Sequence, residues 1–506
     1  VRLPFPGHAC RQFDVREQGA AGDGRRLDTP AFNAAIALAC AAGGGLVRVP
    51  AGAYRCFSIR LRSDVTVLLE AGATIIAADP DLDPGSYDLP DDRGEQLYQD
   101  FGHSHWHNSL IWGDGVRRVA ILGPGVIDGR ALTRDGPGAR WKRQAGERPL
   151  SMQGMTAAEI DALERDAAYM QGRGNKAIGL VEARDVHLSG FTIRDGGHFA
   201  ILATGVDGLV IEDLTIDTAR DGIDLDGVRN ARIERCRVNT PNDDAIVLKS
   251  SWALGRAIPC DDVVIRGCAV SGFDPGTLLD GSRGTRQQIA PDRDRVTGRI
   301  KLGTESNGGF RRIRIEDCRF ERSRGLALET VDGGVMEDVI ARDLRLHDVT
   351  TAPIFLRLGD RRRGPPGTGL GAMRGITLER IVADGIDPRF AAMLVGLPQA
   401  PIEAVTLRDI ALSYRNGSGC KPAGIPAPEL ADAYPEPSMF GITPAWGLWA
   451  RHVRGLHIDG LTLHTPADPR PHLLLEDVHD VTAARIRHTA AEPHRGLTTR
   501  PTASTI

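Results

Sequence analysis

The sequence predicts an all-β protein wound as a right-handed parallel β-helix solenoid, and three observations carry that prediction. First, a short phrase of alternating apolar residues keeps returning. It reads VHLSGFTI (186–193), LVIEDLTI (209–216), ARIERCRV (231–238), VVIRGCAV (263–270) and IRIEDCRF (313–320). It continues as VIARDLRL (339–346), ITLERIVA (376–383), VTLRDIAL (405–412), LHIDGLTL (456–463) and VTAARIRH (481–488), with echoes at 65–75 and 116–127. Second, the tightest spacings are 22 to 26 residues, and wider gaps of 32, 37, 50 and 51 read as the same coil with an inserted loop. A strand residue advances about 3.3 Å, so the short spacing makes one triangular turn of three short strands. Third, 60 of 506 residues are Gly and only 5% are aromatic. Such a chain turns often and packs small, branched side chains in register.

From the N-terminus, DTPAFNAAIALACAAGGG (28–45) reads as a capping helix, because an open solenoid end exposes unpaired backbone and core. Asp28 or Thr29 is the expected N-cap, and Pro30 suits the first turn. Phe32, Ile36 and Leu38 to Cys40 form the apolar face before the glycine stop. Residues 130–172 interrupt the rungs and hold a helical piece, TAAEIDALERDAAYM (156–170), so an inserted loop folded over one face is expected there, with another at 271–299. Residues 11–490 are expected to form one solenoid, followed by a loose tail at 491–506. Cys236, Cys268 and Cys318 share a slot of the phrase with Phe191, Leu214, Leu344, Ile381, Ile410 and Leu461, which makes them buried ladder residues. Cys40 and Cys56 are candidates for a disulfide, a connectivity that spacing leaves open.

Composition removes several classes of function. With 62 Lys+Arg against 66 Asp+Glu the net charge is −4, which gives no reason to expect nucleic acid or an anionic membrane as partner. No run of 18 apolar residues exists. Eight Cys without a close CxxC pair argue against both a disulfide scaffold and a zinc ribbon. No charged-then-apolar leader precedes Val1, which reads as a mature or trimmed product with a periplasmic or secreted location.

The densest acidic cluster is ARDGIDLDG (219–227), followed one coil later by NTPNDDAIVLKSS (239–251). Asp221 stands 22 and 23 residues before Asp243 and Asp244, almost one coil, so the three are expected on adjacent rungs of one face. Close carboxylates repel, and at least one should keep its proton to higher pH. A proton-bearing acid beside ionised bases is what hydrolysis of a glycosidic bond requires. The competing reading is that corner Asp residues bond local backbone or bind Ca²⁺. The stretch YQDFGHSHWHNSLIW (98–112) concentrates His and aromatic residues, and His105 and Trp106 are candidates for a sugar-binding wall. Its His103, His105 and His107 on one strand face would alternatively suit a metal. His198, one rung before the Asp cluster, is a cleft candidate; Lys249 follows the Asp pair and suits orienting a carboxylate or hydroxyl; Glu305 suits a substrate contact or a loop brace.

With these residues in hand, the chain resembles the polygalacturonase family, glycoside hydrolase family 28. The resemblance runs through FDVREQGAAGDGRRLDTPAFNAAIALACAAGGGLVRVPAGAY (13–54), SLIWGDGVRRVAILGPGVIDG (109–129), the Asp cluster and GTESNGG (303–309). It implies a right-handed β-helix and an inverting pectin hydrolase that uses water, no cofactor and no metal, on an oligo- or polysaccharide partner. It further implies that Asp243 protonates the leaving oxygen while Asp221 and Asp244 hold and deprotonate water. Acid and base carboxyls would then stand about 6.5–9.5 Å apart. Asp224 matches a further acidic position, suited to a sugar hydroxyl or to bracing the turn.

The departures shape the expected substrate. The family's Asn-Thr-Asp falls on Ala219, Arg220 and Asp221, its Gly-His-Gly on Gly298 and Arg299, and its Arg-Ile-Lys on Ala327, Leu328 and Glu329. The two cations that would pair with a uronate carboxylate are thus replaced, and Glu329 would repel one. The expected substrate is a neutral, rhamnose-like sugar taken from a chain end, with a lyase or a non-catalytic sugar-binding solenoid as alternatives. Arg299, Lys301 and Lys249 are the residues that would restore a cation to the site.

Overall fold

The computed structural model describes residues 3–5, 7, 11–91, 93, 98–133, 148, 152–162, 168–422, 427–489 and 498–500. Each strand pairs in parallel with its equivalent on the next coil, as in Thr192↔Thr215↔Arg237↔Ala269↔Arg319↔Arg345. The architecture is the expected parallel β-helix. Its interior is a set of like-residue ladders, one of which runs Leu225–Leu248–Leu302–Leu328–Leu356–Leu394, every member fully buried. Burying one such side chain stabilises by roughly 1.5–3 kcal/mol, and stacking makes that term repeat along the axis. Cys236, Cys268 and Cys318 lie in the ladder expected of them, all buried.

The polar or Gly position inside each phrase is where the coil turns. Asp213, Asp317, Asp343 and Asp409 adopt φ of 57°, 51°, 58° and 51°. Gly and the short polar Asp tolerate this left-handed conformation best, which accounts for the recurring corner chemistry.

The cap is α1 (Thr29–Ala41), preceded by Asp28 as N-cap. Asp28 does not cap with its side chain; its carboxylate instead accepts from the Ala21 and Gly22 amides at 2.7 and 3.2 Å, pinning the incoming chain. Phe32, Ala35, Ile36 and Ala39 are buried, whereas Leu38, expected on the apolar face, is 45% exposed. Cys40 and Cys56 are free thiols. Among the described residues of the 130–172 insertion the helix is α2 (Ala157–Asp161), opened by a capping box between Thr156 and Glu159. Residues 163–167 of the expected longer helix lie outside the described residues. The tail is not wholly loose: Thr498–Arg500 forms a strand beside Leu474–Glu476.

One outward-facing row of the sheet organises everything that follows. It runs Leu202–Asp224–Val247–Lys301–Ala327–Phe355–Met393–Trp449–Leu474. Two segments outside the rungs cover it. Near its start, Trp106 packs with Val181, Phe199, Leu202 and Ala253. Near its end, Ala427, Ala433, Met439 and Phe440 pack on Ala327, Phe355, Met393, Trp449 and Leu474. Between the covers lies the charged stretch of the row.

Candidate active site

Asp221 opens the strand Asp221–Asp226. The glycine after it permits close stacking, since a Cβ on Gly222 would lie 2.4 Å from Val238 Cγ1 and 2.5 Å from the Ala245 carbonyl oxygen. One coil on, the strand Arg237–Asn239 stops at Pro241, and Asn242–Asp244 turn outward before Ile246–Ser250 begins. The Asp243 carbonyl accepts from Thr240 Oγ1 at 2.9 Å and from the Gly298 amide at 3.1 Å, which fixes that turn. Gly298 has φ of +50°, and a Cβ there would sit 2.2 Å from the Ser271 carbonyl. Asp221, Asp243 and Asp244 thereby each present a carboxylate oxygen within 4.8 Å of the others.

The three carboxylates meet different surroundings. Burial works against ionisation of Asp244, but the charges of Arg299 and Lys301 outweigh it and hold the carboxyl at about 2. Arg299 Nε donates to Asp244 at 2.7 Å and Lys301 Nζ lies 3.6 Å away. Asp221, 2% exposed, is pushed well above the carboxylate range by burial and by the negative charge of Asp243. Asp243 stands at the rim, its side chain 28% exposed, and pairs with Arg220 Nη2 at 2.8 Å. The nearest oxygens of the three carboxylates lie within 4.8 Å of one another. That gap admits one water bonded to two carboxylates, because two bonds of about 2.8 Å span up to roughly 5.6 Å. Three oxygens this close could also ligate a divalent cation; here Arg220, Arg299 and Lys301 supply the compensating charge.

Around the trio, buried charges are matched one against another. Arg299 also forks onto Glu436 at 2.9 and 3.2 Å, and Glu436 accepts from Arg324 at 3.2 Å. Lys301 pairs with Glu329 at 3.3 Å. Lys249 pairs with Asp224 at 3.0 Å and contacts His103, which itself lies 3.1 Å from Asp224. Glu305 accepts from Arg363 at 2.8 Å; burial alone would raise it, but Lys249 and Arg363 bring it well below the usual range.

Several expectations change accordingly. Trp106 is fully buried, donating its indole N–H to Thr204 Oγ1 at 3.0 Å, so it is packing and not an exposed sugar wall. His105 stacks on Phe101 at 3.9 Å and bonds its carbonyl at 2.8 Å, occupied within its own turn. His103, His105 and His107 do not share a strand face: His103 lies within a short 3-10 turn, His105 follows it, and His107 pairs with Asp114. Asp224 is fully buried and pairs with Lys249 at 3.0 Å. Glu329 does not face the groove; it is fully buried, and burial raises it to about 7 against the pull of Lys301. Glu305 is a brace. His198 is 4% exposed and packs on Phe199 beside His103, next to the site and beneath its surface.

Glu436, Tyr434 and Arg363 escaped the sequence reading. They belong to connections between rungs, more than a hundred residues from Asp221, where no repeat marks them. Tyr434 stands with Lys301 and Arg361 5.8 and 5.6 Å from its ring centre and its hydroxyl 3.3 Å from Thr304 Oγ1.

The trio thus sits on the outer side of a parallel β-helix, with one carboxyl held low and a neighbour pushed high. No family model matches the chain. A Vitis vinifera protein named "Probable polygalacturonase" is 24% identical over 439 residues, covering 81% of this chain and 76% of the relative. Among solved structures, the exopolygalacturonase of Thermotoga maritima superposes with a TM-score of 0.59 at 21% identity, over 82% of this chain and 90% of that one. A surface adhesin of Streptococcus pneumoniae shares the fold at 0.51 and 14% identity, over 97% and 93%. The structural likenesses establish the fold, and a fold alone does not imply a function. In sequence and fold together the chain is polygalacturonase-like.

Proposed function

We propose that the protein is an inverting glycosidase that removes a neutral, rhamnose-like sugar from the end of a pectin-type oligo- or polysaccharide. One observation carries the reading: within 4.8 Å, one carboxyl is held ionised at about 2 and its neighbour is pushed well above the carboxylate range. That division supplies base and acid together at neutral pH. Asp244, oriented by Arg299, takes the proton of a water held between the carboxylates. Asp221, the carboxyl pushed high, carries the proton, which passes through Asp243, the member at the rim, to the departing glycosidic oxygen. A lyase would instead need cations free to neutralise a uronate beside the proton it abstracts.

Neutral-sugar selectivity is supported by the pairing of the buried cations. Arg299, Lys301, Lys249 and Arg363 are each matched to a carboxylate at 3.3 Å or less. A uronate at the floor would have to displace one of them. Action at a chain end is supported by the covering segment 427–440, which occupies the outer row beyond Lys301 and leaves the groove a dead end on that side. Work on an extracellular polysaccharide suits a periplasmic or secreted enzyme, and among the described residues no helix is long and apolar enough to cross a membrane.

The test is release of the terminal sugar from matched oligosaccharides capped by rhamnose or by galacturonate, with the anomer of the first product read by NMR. Release of the neutral cap at least tenfold faster, with inversion, is the expected result. Equal rates, or a faster galacturonate, would overturn the neutral subsite, and retention would overturn the water-mediated displacement. Binding without release of either cap would overturn hydrolysis itself.

A further inference from the structure

Among the described residues that pair with the trio or its neighbours, Arg220 is the cation most open to solvent. Its side chain is 28% exposed, against 1% for Arg299, 3% for Lys301, 3% for Arg363 and 9% for Lys249. Its bonding is also incomplete. Nε and Nη2 both donate to the same oxygen, Asp243 Oδ2, at 3.3 and 2.8 Å, and Nη1 makes no hydrogen bond to the described residues. A guanidinium presents five donors in a planar fork suited to two parallel bonds with a carboxylate. Here half of that fork is unspent at the rim of the groove.

We infer that Arg220 is a specificity-determining residue that binds a carboxylate on the sugar adjoining the one released. The inference rests on the glycosidase reading and deepens it, naming the substrate class as a neutral terminal sugar joined to an acidic one. The position follows from Asp243. The group that protonates the leaving oxygen faces the leaving sugar, and Arg220, bonded to that group, stands on the same side. At rest Arg220 Nη2 holds Asp243 at 2.8 Å. A substrate carboxylate that draws Arg220 away leaves the Asp243 side chain free to turn to the leaving oxygen. Recognition of the acidic sugar and readiness of the acid thereby become one event. Lys or Gln would serve less well, since neither offers a rigid fork that can bond two carboxylates at once.

The experiment uses three substrates with the same neutral terminal sugar: one linked to galacturonic acid, one to its methyl ester, and one to an aryl group. The intact enzyme should favour the free acid over the ester by about tenfold or more in kcat/KM, in line with a charge-assisted bidentate contact worth roughly 1.5–3 kcal/mol. Arg220→Gln should erase that preference while changing the aryl glycoside far less, and Arg220→Lys should keep part of it. Binding gives a readout that needs no turnover: Asp243→Asn frees the guanidinium and should tighten calorimetric binding of the free acid more than of the ester. Equal losses on acid, ester and aryl substrates in Arg220→Gln, or an intact enzyme indifferent to esterification, would overturn the inference while leaving hydrolysis standing. Binding of acid and ester alike by Asp243→Asn would overturn it too. Absence of hydrolysis with all three would instead count against the glycosidase reading, and the binding comparison would still decide the role of Arg220.

Discussion

A single outward-facing row of the sheet has two lives. Through Asp224 and Lys301 it is charged and borders the carboxylate trio; from Ala327 onward through Phe355, Met393 and Trp449 it is apolar and roofed by residues 427–440. Strand pairing is parallel in both stretches, and the charged one alone carries a register shift, between Leu248 and Ser250. The interior beneath is unchanged, an aliphatic ladder from Leu225 to Leu394. The solenoid therefore fixes only its inward side chains. Outward ones are left to local use, and chemistry arises where the row is charged and the roof stops.

The largest effect should come from the charged stretch. Asp244→Asn removes the ionised partner of the water and should lower kcat by about 10²- to 10⁴-fold, measured as sugar release at fixed pH. Retained activity would break the contrast, because the charged rungs would then be as structural as the apolar ones.

Next comes the apolar stretch. Trp449 is fully buried, stacks edge-on with Phe440 at 5.0 Å and donates to Glu476 at 2.7 Å. Trp449→Ala should destabilise by about 3–5 kcal/mol in denaturant titrations. It should also let products longer than one sugar appear, as the roof of 427–440 loosens. Unchanged product lengths in a measurably destabilised variant would separate that roof from chain-end action.

The smallest effect concerns pH. Glu329 is raised to about 7 and Asp226 to about 6, both chiefly by burial. A carboxyl whose folded value lies above its unfolded one binds more protons when folded. Unfolding free energy should therefore fall as pH rises from about 4.5 towards 7, and level off beyond it. Glu329→Gln should flatten part of that decline in melts across the same range, the remainder belonging to Asp226 and Asp221. An unaltered slope would place Glu329 outside the balance of buried charge.

What the sequence disclosed follows the same division. Coil spacing placed Asp221 beside Asp244 because rungs repeat, and the shared slot of Cys236, Cys268 and Cys318 fixed their burial. Glu436, Tyr434 and Arg363 were silent, since each reaches the site from a connection whose path no period records. Glu329 was identified as a departure but misjudged in role: aligned with a substrate-facing cation, it is instead sealed beneath Lys301. Trp106 misled in the opposite sense, because aromatic density signalled a sugar wall where the protein needed an apolar roof over Phe199 and Leu202.

The left-handed corners at Asp213, Asp317, Asp343 and Asp409 have a consequence for how such a molecule changes over time. Each corner ends one strand and starts the next at a set angle, so the length of a rung is counted locally. Extra residues admitted elsewhere in the coil cannot push the neighbouring strands out of step. Novel surface is thus acquired by insertion at a seam, and the hydrocarbon interior is inherited unaltered.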